Sequence, residues 1–209
     1  MKKQIFVTGI STDVGKTLVS AILVEALKAD YWKPIQSGDL AYSDTDKVKE
    51  LIGCESSVFF KNAYGLKTPM SPHASAAIDG VQIELDEIVI PQTDKHLIIE
   101  GAGGVLVPIN DSDTVLDLIP KNSLVVLVSR HYLGSINHTL MSVEILKQKG
   151  YEIALIFSGN EHKTTEDIIL KKTNLPVIGR IDDEKEITQD LISKYANLFK
   201  QNVLDELSK

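Results

Sequence analysis

Residues Gly9-Ile10-Ser11-Thr12-Asp13-Val14-Gly15-Lys16-Thr17 constrain this chain more than any other stretch. The apolar run Ile5-Phe6-Val7 enters them and a helical pattern from Leu18 to Leu27 leaves them. Strand, glycine-bounded loop ending in Lys-Thr, then helix is the layout of a phosphate-binding loop. Each residue type has a reason. Glycines let backbone N–H groups close on phosphate oxygens. A helix N-terminus adds unpaired donors and the positive end of its dipole. Lys16 is a mobile cation for the outer phosphates, and the Thr17 hydroxyl suits the Mg²⁺ that accompanies a nucleotide. Five residues separate Gly9 from Gly15, one more than in the common form of the motif.

The rest of the chain reads as alternating strands and helices. Strands are expected at Ile5–Thr8, Tyr31–Ile35, Leu97–Ile99, Leu124–Val128, Ile153–Phe157 and Val177–Ile178. Helices are expected at Thr17–Ala29, Asp46–Ile52 with Gly53 as C-cap, Ala74–Ile78, Glu84–Ile90, Val115–Ile119, Ser135–Lys149 closed by Gly150, Thr165–Lys172, and one or two within Glu186–Leu207. Residues 56–80 otherwise read as irregular. The unbroken apolar run Leu124–Val128 fits a parallel strand covered on both faces. This order predicts an α/β, three-layer P-loop NTPase fold: a mostly parallel sheet with helices on both faces and ligands at the carboxyl ends of the strands. With 209 residues and no linker or repeat, one domain spanning 1–209 is the economical reading.

Composition narrows the function. A net charge of −7 argues against general nucleic-acid binding. Cys54 is the lone cysteine, so no internal disulfide forms, which is compatible with a reducing compartment. The apolar stretch after Met1-Lys2-Lys3 is interrupted at once by Ser11, Thr12 and Asp13, and no run reaches membrane-spanning length. A cytoplasmic location without membrane attachment is expected.

Further clusters follow strand ends. Lys33-Pro34-Ile35-Gln36-Ser37-Gly38 could hold an anion or a developing charge, although judged alone it reads better as a surface turn with a solvated lysine. Ser43-Asp44-Thr45-Asp46 opens a helix, either as plain N-capping or with one aspartate as a Mg²⁺ ligand. Glu100-Gly101-Ala102-Gly103-Gly104 places a carboxylate where a buried strand emerges, the usual second anchor for a nucleotide's metal. Three of the next four residues are glycine, which a simple turn does not need. Leu133-Gly134-Ser135-Ile136-Asn137-His138 starts the long helix with N–H groups suited to a carboxylate or phosphate. His73, His131 and His138 show no partner pattern, and no His/Cys spacing suggests zinc.

Together these blocks, in this order, resemble the dethiobiotin synthetase family. The resemblance rests on Thr8 through Thr17 with its five-residue spacing, Lys33–Gly38, Ser43-Asp44, Ser71-Pro72-His73, Glu100–Gly104 and Leu133–His138. It implies an ATP-dependent cyclo-ligase that closes a ureido ring on 7,8-diaminopelargonate with carbon dioxide, through a carbamate and a carbamic–phosphoric anhydride, with Mg²⁺ as cofactor. It assigns the nucleotide to Asp13, Val14, Gly15, Lys16, Thr17, Leu18, Glu100, Gly101, Ala102 and Gly103, with Asn160 as the candidate for the base. It assigns the metal to Thr17, Asp44 and Glu100, with Asp44 preferred over Asp46, and catalysis to Lys16 and Lys33. Ser37 is expected to bind the diamine or carbamate end. Gly134, Ser135 and Asn137 are expected to take the substrate's carboxylate tail from the partner subunit of a homodimer. Two blocks depart from the family: Ser158-Gly159-Asn160 stands where an asparagine usually follows the strand directly, and Gly179-Arg180-Ile181-Asp182 lacks the usual proline. The alternatives are a partitioning or regulatory P-loop ATPase switch, which usually carries a lysine where Ile10 and Ser11 stand, and an amidoligase of cobalamin assembly, which needs a glutaminase domain that this length does not allow.

Overall fold

The structure, a computed structural model, describes residues 2–209; Met1 and its part in the leader reading lie outside the described residues. The first strand, β1 (Gln4–Gly9), is buried along nearly its whole length. It lies between β6 (Leu97–Gly104) and β7 (Leu124–Arg130), pairing with both in parallel. The sheet extends on one side through β2 (Asp30–Trp32) to β4 (Phe59–Phe60). On the other it runs through β8 (Glu152–Ser158) to β9 (Val177–Ile181), giving the seven-stranded order β4-β2-β6-β1-β7-β8-β9 with every pair parallel. Leu124 through Val128 are at most 2% exposed, so each contributes roughly 1.5–3 kcal/mol of side-chain burial. That is why the run forms a central strand.

Helix α1 (Lys16–Leu27) follows β1 and packs against β1, β6 and the C-terminal helix α6 (Gln189–Leu207). On the opposite face, α4 (Ser135–Gln148) packs on β7 and β8 and against α5 (Lys163–Thr173). The expected three-layer α/β arrangement is therefore present. The connection after β1 leads to β2, whereas the connection after β6 leads to β7 on the other side of β1. The carboxyl ends of β1 and β6 thus flank the topological switch point, where such sheets bind ligands.

Several local expectations change. Tyr31–Ile35 is not one strand: Pro34 interrupts it, and β3 (Ile35–Ser37) leaves the main sheet to pair in parallel with β5 (Tyr64–Leu66) in a small second sheet. Residues 56–80 are accordingly structured, holding β4, β5 and α3 (Pro72–Asp79). Glu84–Ile90 supplies only a 3₁₀ turn at Leu85–Glu87, and Val115–Leu118 is a second such turn. Helix α2 (Asp44–Leu51) starts two residues earlier than expected and ends on Ile52 in an extended conformation, so Gly53 is not its left-handed cap; its N–H instead donates to Glu25 Oε2 at 3.0 Å. Glu186–Leu207 resolves into the single helix α6, capped by the Thr188 side chain. Among the described residues no helix is long and apolar enough to cross a membrane.

Candidate active site

The phosphate loop is the turn from β1 into α1. Asp13 and Gly15 both adopt left-handed backbone (φ 56° and 95°), and Gly15 is the N-cap of α1. Gly9 is required by close approach: a Cβ there lies 2.4 Å from Val14 Cγ2 and 2.9 Å from the Ser11 carbonyl oxygen. Lys16 folds back over this loop, its Nζ donating to the Ser11 carbonyl at 3.1 Å. It is buried, and burial pushes its pKa down to about 8 against the opposing pull of Glu100.

Opposite stands β6. The sequence ended this strand at Glu100, but it continues to Gly104. Gly101 is packed under the Phe6 ring and Val115, whose atoms lie 3.0–3.2 Å from where its Cβ belongs. Part of the glycine run therefore serves strand packing, and Ala102 and Gly103, not Gly101, reach the cleft wall.

Between loop and strand lies a charged cluster. Glu100, 1% exposed, accepts from Thr17 Oγ1 (3.0 Å) and Lys33 Nζ (2.9 Å) at Oε1, and from the Tyr31 hydroxyl (2.9 Å) at Oε2. Lys33 Nζ also lies 2.7 Å from Asp44 Oδ2, and Lys47 Nζ lies 3.1 Å from Asp44 Oδ1. Burial opposes the charge on Lys33, but Glu100 and Asp44 together outweigh it and hold its pKa above the usual value. Burial likewise opposes ionisation of Asp44, and Lys33 with Lys47 reverses the balance, holding its pKa below the usual value. Both groups therefore stay charged at neutral pH.

The neighbouring Asp46 has a different task. It accepts from the Ser43 N–H (2.8 Å) and hydroxyl (2.6 Å) in a capping box at the start of α2. Asp44 thus points to Lys33 and Asp46 back to the cap.

These groups line an open cleft of about 890 Å³, together with Asp13, Leu18, Ser37 and the Pro69–Pro72 segment. Ser37 Oγ is buried without a hydrogen-bond partner among the described residues. An unpartnered buried hydroxyl is costly in isolation, and this one belongs to a residue of the cleft wall. Thr17, Asp44 and Glu100 are hard oxygen donors, two carboxylates and one hydroxyl. That set fits Mg²⁺, which is usually held by one or two carboxylates with substrate phosphates and water completing its shell.

The remaining expected residues lie elsewhere. Gly134, Ser135 and Asn137 do not line the cleft of their own chain. Gly134 is the left-handed N-cap of α4 (φ 100°), the Ser135 N–H is used by the Tyr132 carbonyl at 3.0 Å, and Asn137 is exposed. Asn160 is exposed beyond β8, its Oδ1 accepting from the Asp183 N–H at 3.2 Å. Ser158 sits closer to the phosphate loop, its Oγ 3.3 Å from the Cβ position of Gly15, with Arg130 donating to it at 3.4 Å. His131, which showed no partner pattern in sequence, meets Glu166 at 2.9 Å, and Glu166 also accepts from Arg180 at 2.9 Å.

Sequence reading missed Tyr31 and Lys47. Lys47 stands three residues from Asp44 on a helix, a spacing that brings side chains together. Tyr31 and Lys33 are two apart, the period of one strand face, but choosing them required the register Tyr31↔Ile98, which points Tyr31 along the Ile98–Glu100 face of β6.

A family model described as AAA domain matches residues 3–190. An ATP-dependent dethiobiotin synthetase BioD from Christiangramia forsetii is 55% identical over 206 residues, covering 98% of this chain and 100% of that protein. A protein of the same name from Cytophaga hutchinsonii is 48% identical, covering 93% of this chain and 95% of its own length. Among solved structures, a putative plasmid partition protein from Borrelia burgdorferi B31 bound to AMPPNP superposes with a TM-score of 0.62 at 14% identity, covering 98% of this chain and 99% of that one. A ParA family ATPase from Chlorobium tepidum gives 0.56 at 13% identity over 99% and 94% of the two chains. The two structural likenesses establish the fold alone.

Proposed function

The chain belongs to the dethiobiotin synthetase family, and from that premise we infer how its residues divide the work of an ATP-dependent ligase that closes a ureido ring. The substrates are 7,8-diaminopelargonate, carbon dioxide and ATP. One amine of the diamine attacks carbon dioxide and loses a proton, giving a carbamate. A carbamate oxygen takes the γ-phosphoryl group as the bond to ADP breaks. The second amine then attacks the carbamoyl carbon and expels phosphate, leaving dethiobiotin.

Both partners in the phosphoryl transfer are anionic, so the protein must supply positive charge and alignment. The observation that carries the assignment is Lys33, buried yet charged between Glu100 and Asp44 on the wall facing the phosphate loop. Lys33 steadies the carbamate and the moving phosphoryl group, and Lys16 holds the outer phosphates. The unpartnered Ser37 hydroxyl takes the carbamate or amine end. Backbone of Asp13 to Leu18 and of Ala102 and Gly103 cradles the nucleotide, and Asn160 is assigned to its base. Thr17, Asp44 and Glu100 hold Mg²⁺, which when bound neutralises phosphate charge and orients the transferred group.

The tail-binding loop acts in trans. Leu133 is fully exposed, and Tyr132 and Met141 are 38% and 50% exposed. This apolar surface around Gly134, Ser135 and Asn137 suits burial against a second copy, which sets the loop at the neighbour's cleft. We place the enzyme in the cytoplasm, where a lone cysteine stays reduced. The switch-ATPase alternative is not favoured, because its support is likeness of fold at 14% identity or less in the two structures above.

The deciding experiment is fixation of labelled bicarbonate into an acid-stable product. Label fixed only when ATP, Mg²⁺ and 7,8-diaminopelargonate are all present is the expected result. ATP hydrolysis that ignores the diamine, with no label fixed, refutes the assignment.

A further inference from the structure

Tyr31 is wholly buried in β2, its ring tilted against Phe59 at 5.8 Å between centroids. A buried phenol needs a partner for its hydroxyl, and this one donates to Glu100 Oε2 at 2.9 Å. The two oxygens of Glu100 therefore face different company. Oε2 is turned inward to Tyr31, whereas Oε1 alone meets Thr17 and Lys33 at the cleft.

We propose that Tyr31 is a positioning residue for the metal: by occupying one oxygen of Glu100 it makes this carboxylate a one-oxygen ligand, the mode that fits Mg²⁺ in preference to Ca²⁺. Mg²⁺ demands near-ideal octahedral geometry at short range, while the larger Ca²⁺ accepts both oxygens of a carboxylate and a looser shell. A carboxylate free to rotate and offer both oxygens suits Ca²⁺ better. One fixed by an outer hydrogen bond pays less ordering entropy when it meets Mg²⁺, the usual effect of outer-shell partners. The inference rests on the reading of Glu100 as a metal ligand. It adds a residue that the phosphate-loop and carboxylate motifs do not contain.

The test is calorimetric titration of Mg²⁺ and, separately, Ca²⁺ into the ADP complex of the full chain, for the unaltered protein, Tyr31→Phe and Glu100→Gln. Tyr31→Phe keeps the ring and removes only the hydroxyl. Its Mg²⁺ affinity is expected to fall about tenfold, with Ca²⁺ affinity held within about twofold and ADP affinity in chelator unchanged. Equal weakening toward both ions overturns the selective role. Unchanged Mg²⁺ binding in Tyr31→Phe, with Glu100→Gln impaired, overturns the positioning role while leaving Glu100 a ligand. Unchanged Mg²⁺ binding in both variants overturns the metal reading of Glu100 itself.

Discussion

Replacing Lys33 with methionine keeps most of the side-chain volume and removes the cation that the Glu100 and Asp44 carboxylates share. Lys33 stands 2.9 Å from Glu100 and 2.7 Å from Asp44, its side chain 6% exposed. Removing one partner of a buried ion pair costs about 3–5 kcal/mol, because the remaining charge is left uncompensated. Here the lower end applies: the Asp44 side chain is 21% exposed and keeps Lys47 at 3.1 Å, so Glu100 bears most of the loss. For a chain of this length, about 3 kcal/mol lowers the melting temperature by roughly 6–12 °C. Mg²⁺ should reverse part of that. In the unaltered protein a cation must displace the Lys33 ammonium from Glu100 and Asp44; in Lys33→Met it meets two carboxylates with that competitor gone. Thermal melts with and without Mg²⁺, in the absence of nucleotide, should therefore show a larger metal-induced rise for the variant, following ligand mass action. Turnover should move the other way, with kcat reduced about 10²–10³-fold, as for loss of one charge-stabilising donor. A variant that melts within about 1 °C of the parent, or that gains no more from Mg²⁺ than the parent does, refutes the shared-cation account.

Three further outcomes follow from the same geometry. Because Lys16 has a pKa of about 8 in the free protein, it is charged below that pH and increasingly neutral above it, while phosphates favour the charged form. Nucleotide dissociation constants measured from pH 7 to 9.5 should rise above pH 8, approaching about tenfold per pH unit, and a flat profile excludes Lys16 from the phosphate contacts. Asp46→Ala removes the capping box and should cost about 1 kcal/mol of stability with Mg²⁺ binding intact, whereas Asp44→Asn should weaken Mg²⁺; the reverse pattern, read by calorimetry, exchanges their roles. If each cleft takes its tail-binding loop from the partner, mixing Lys33→Met with Asn137→Ala chains should restore about a quarter of parental activity. Random pairing makes half of the dimers mixed, each with one intact site of two, and no recovery after subunit exchange argues for a site within one chain.

What the sequence determined by itself was whatever depends on local spacing. The strand–loop–helix at Ile5–Leu27, the buried run Leu124–Val128 and the helix from Ser135 to the glycine at 150 are periodic or motif-bound, and their limits shifted by two residues or fewer. Lys16, Thr17 and Glu100 were likewise visible, each at the end of a strand or the start of a helix, whereas Lys33 and Asp44 stood out only through the family resemblance. Tertiary structure decided what depends on pairing across distance. Glu100-Gly101-Ala102-Gly103-Gly104 stayed a strand because β1 offered it a partner, with Gly9 opposite Gly104, where the apolar run alone ended the strand at Glu100. Ile35–Ser37 became a strand only because Tyr64–Leu66 lies beside it. Tyr31 joined the site through a register that sets Ile98 beside it and Glu100 one step further along the same face. Side-chain periodicity is written into the chain; which oxygen of Glu100 faces the cleft is not, because that depends on residues 31, 33 and 17 converging from three separate elements.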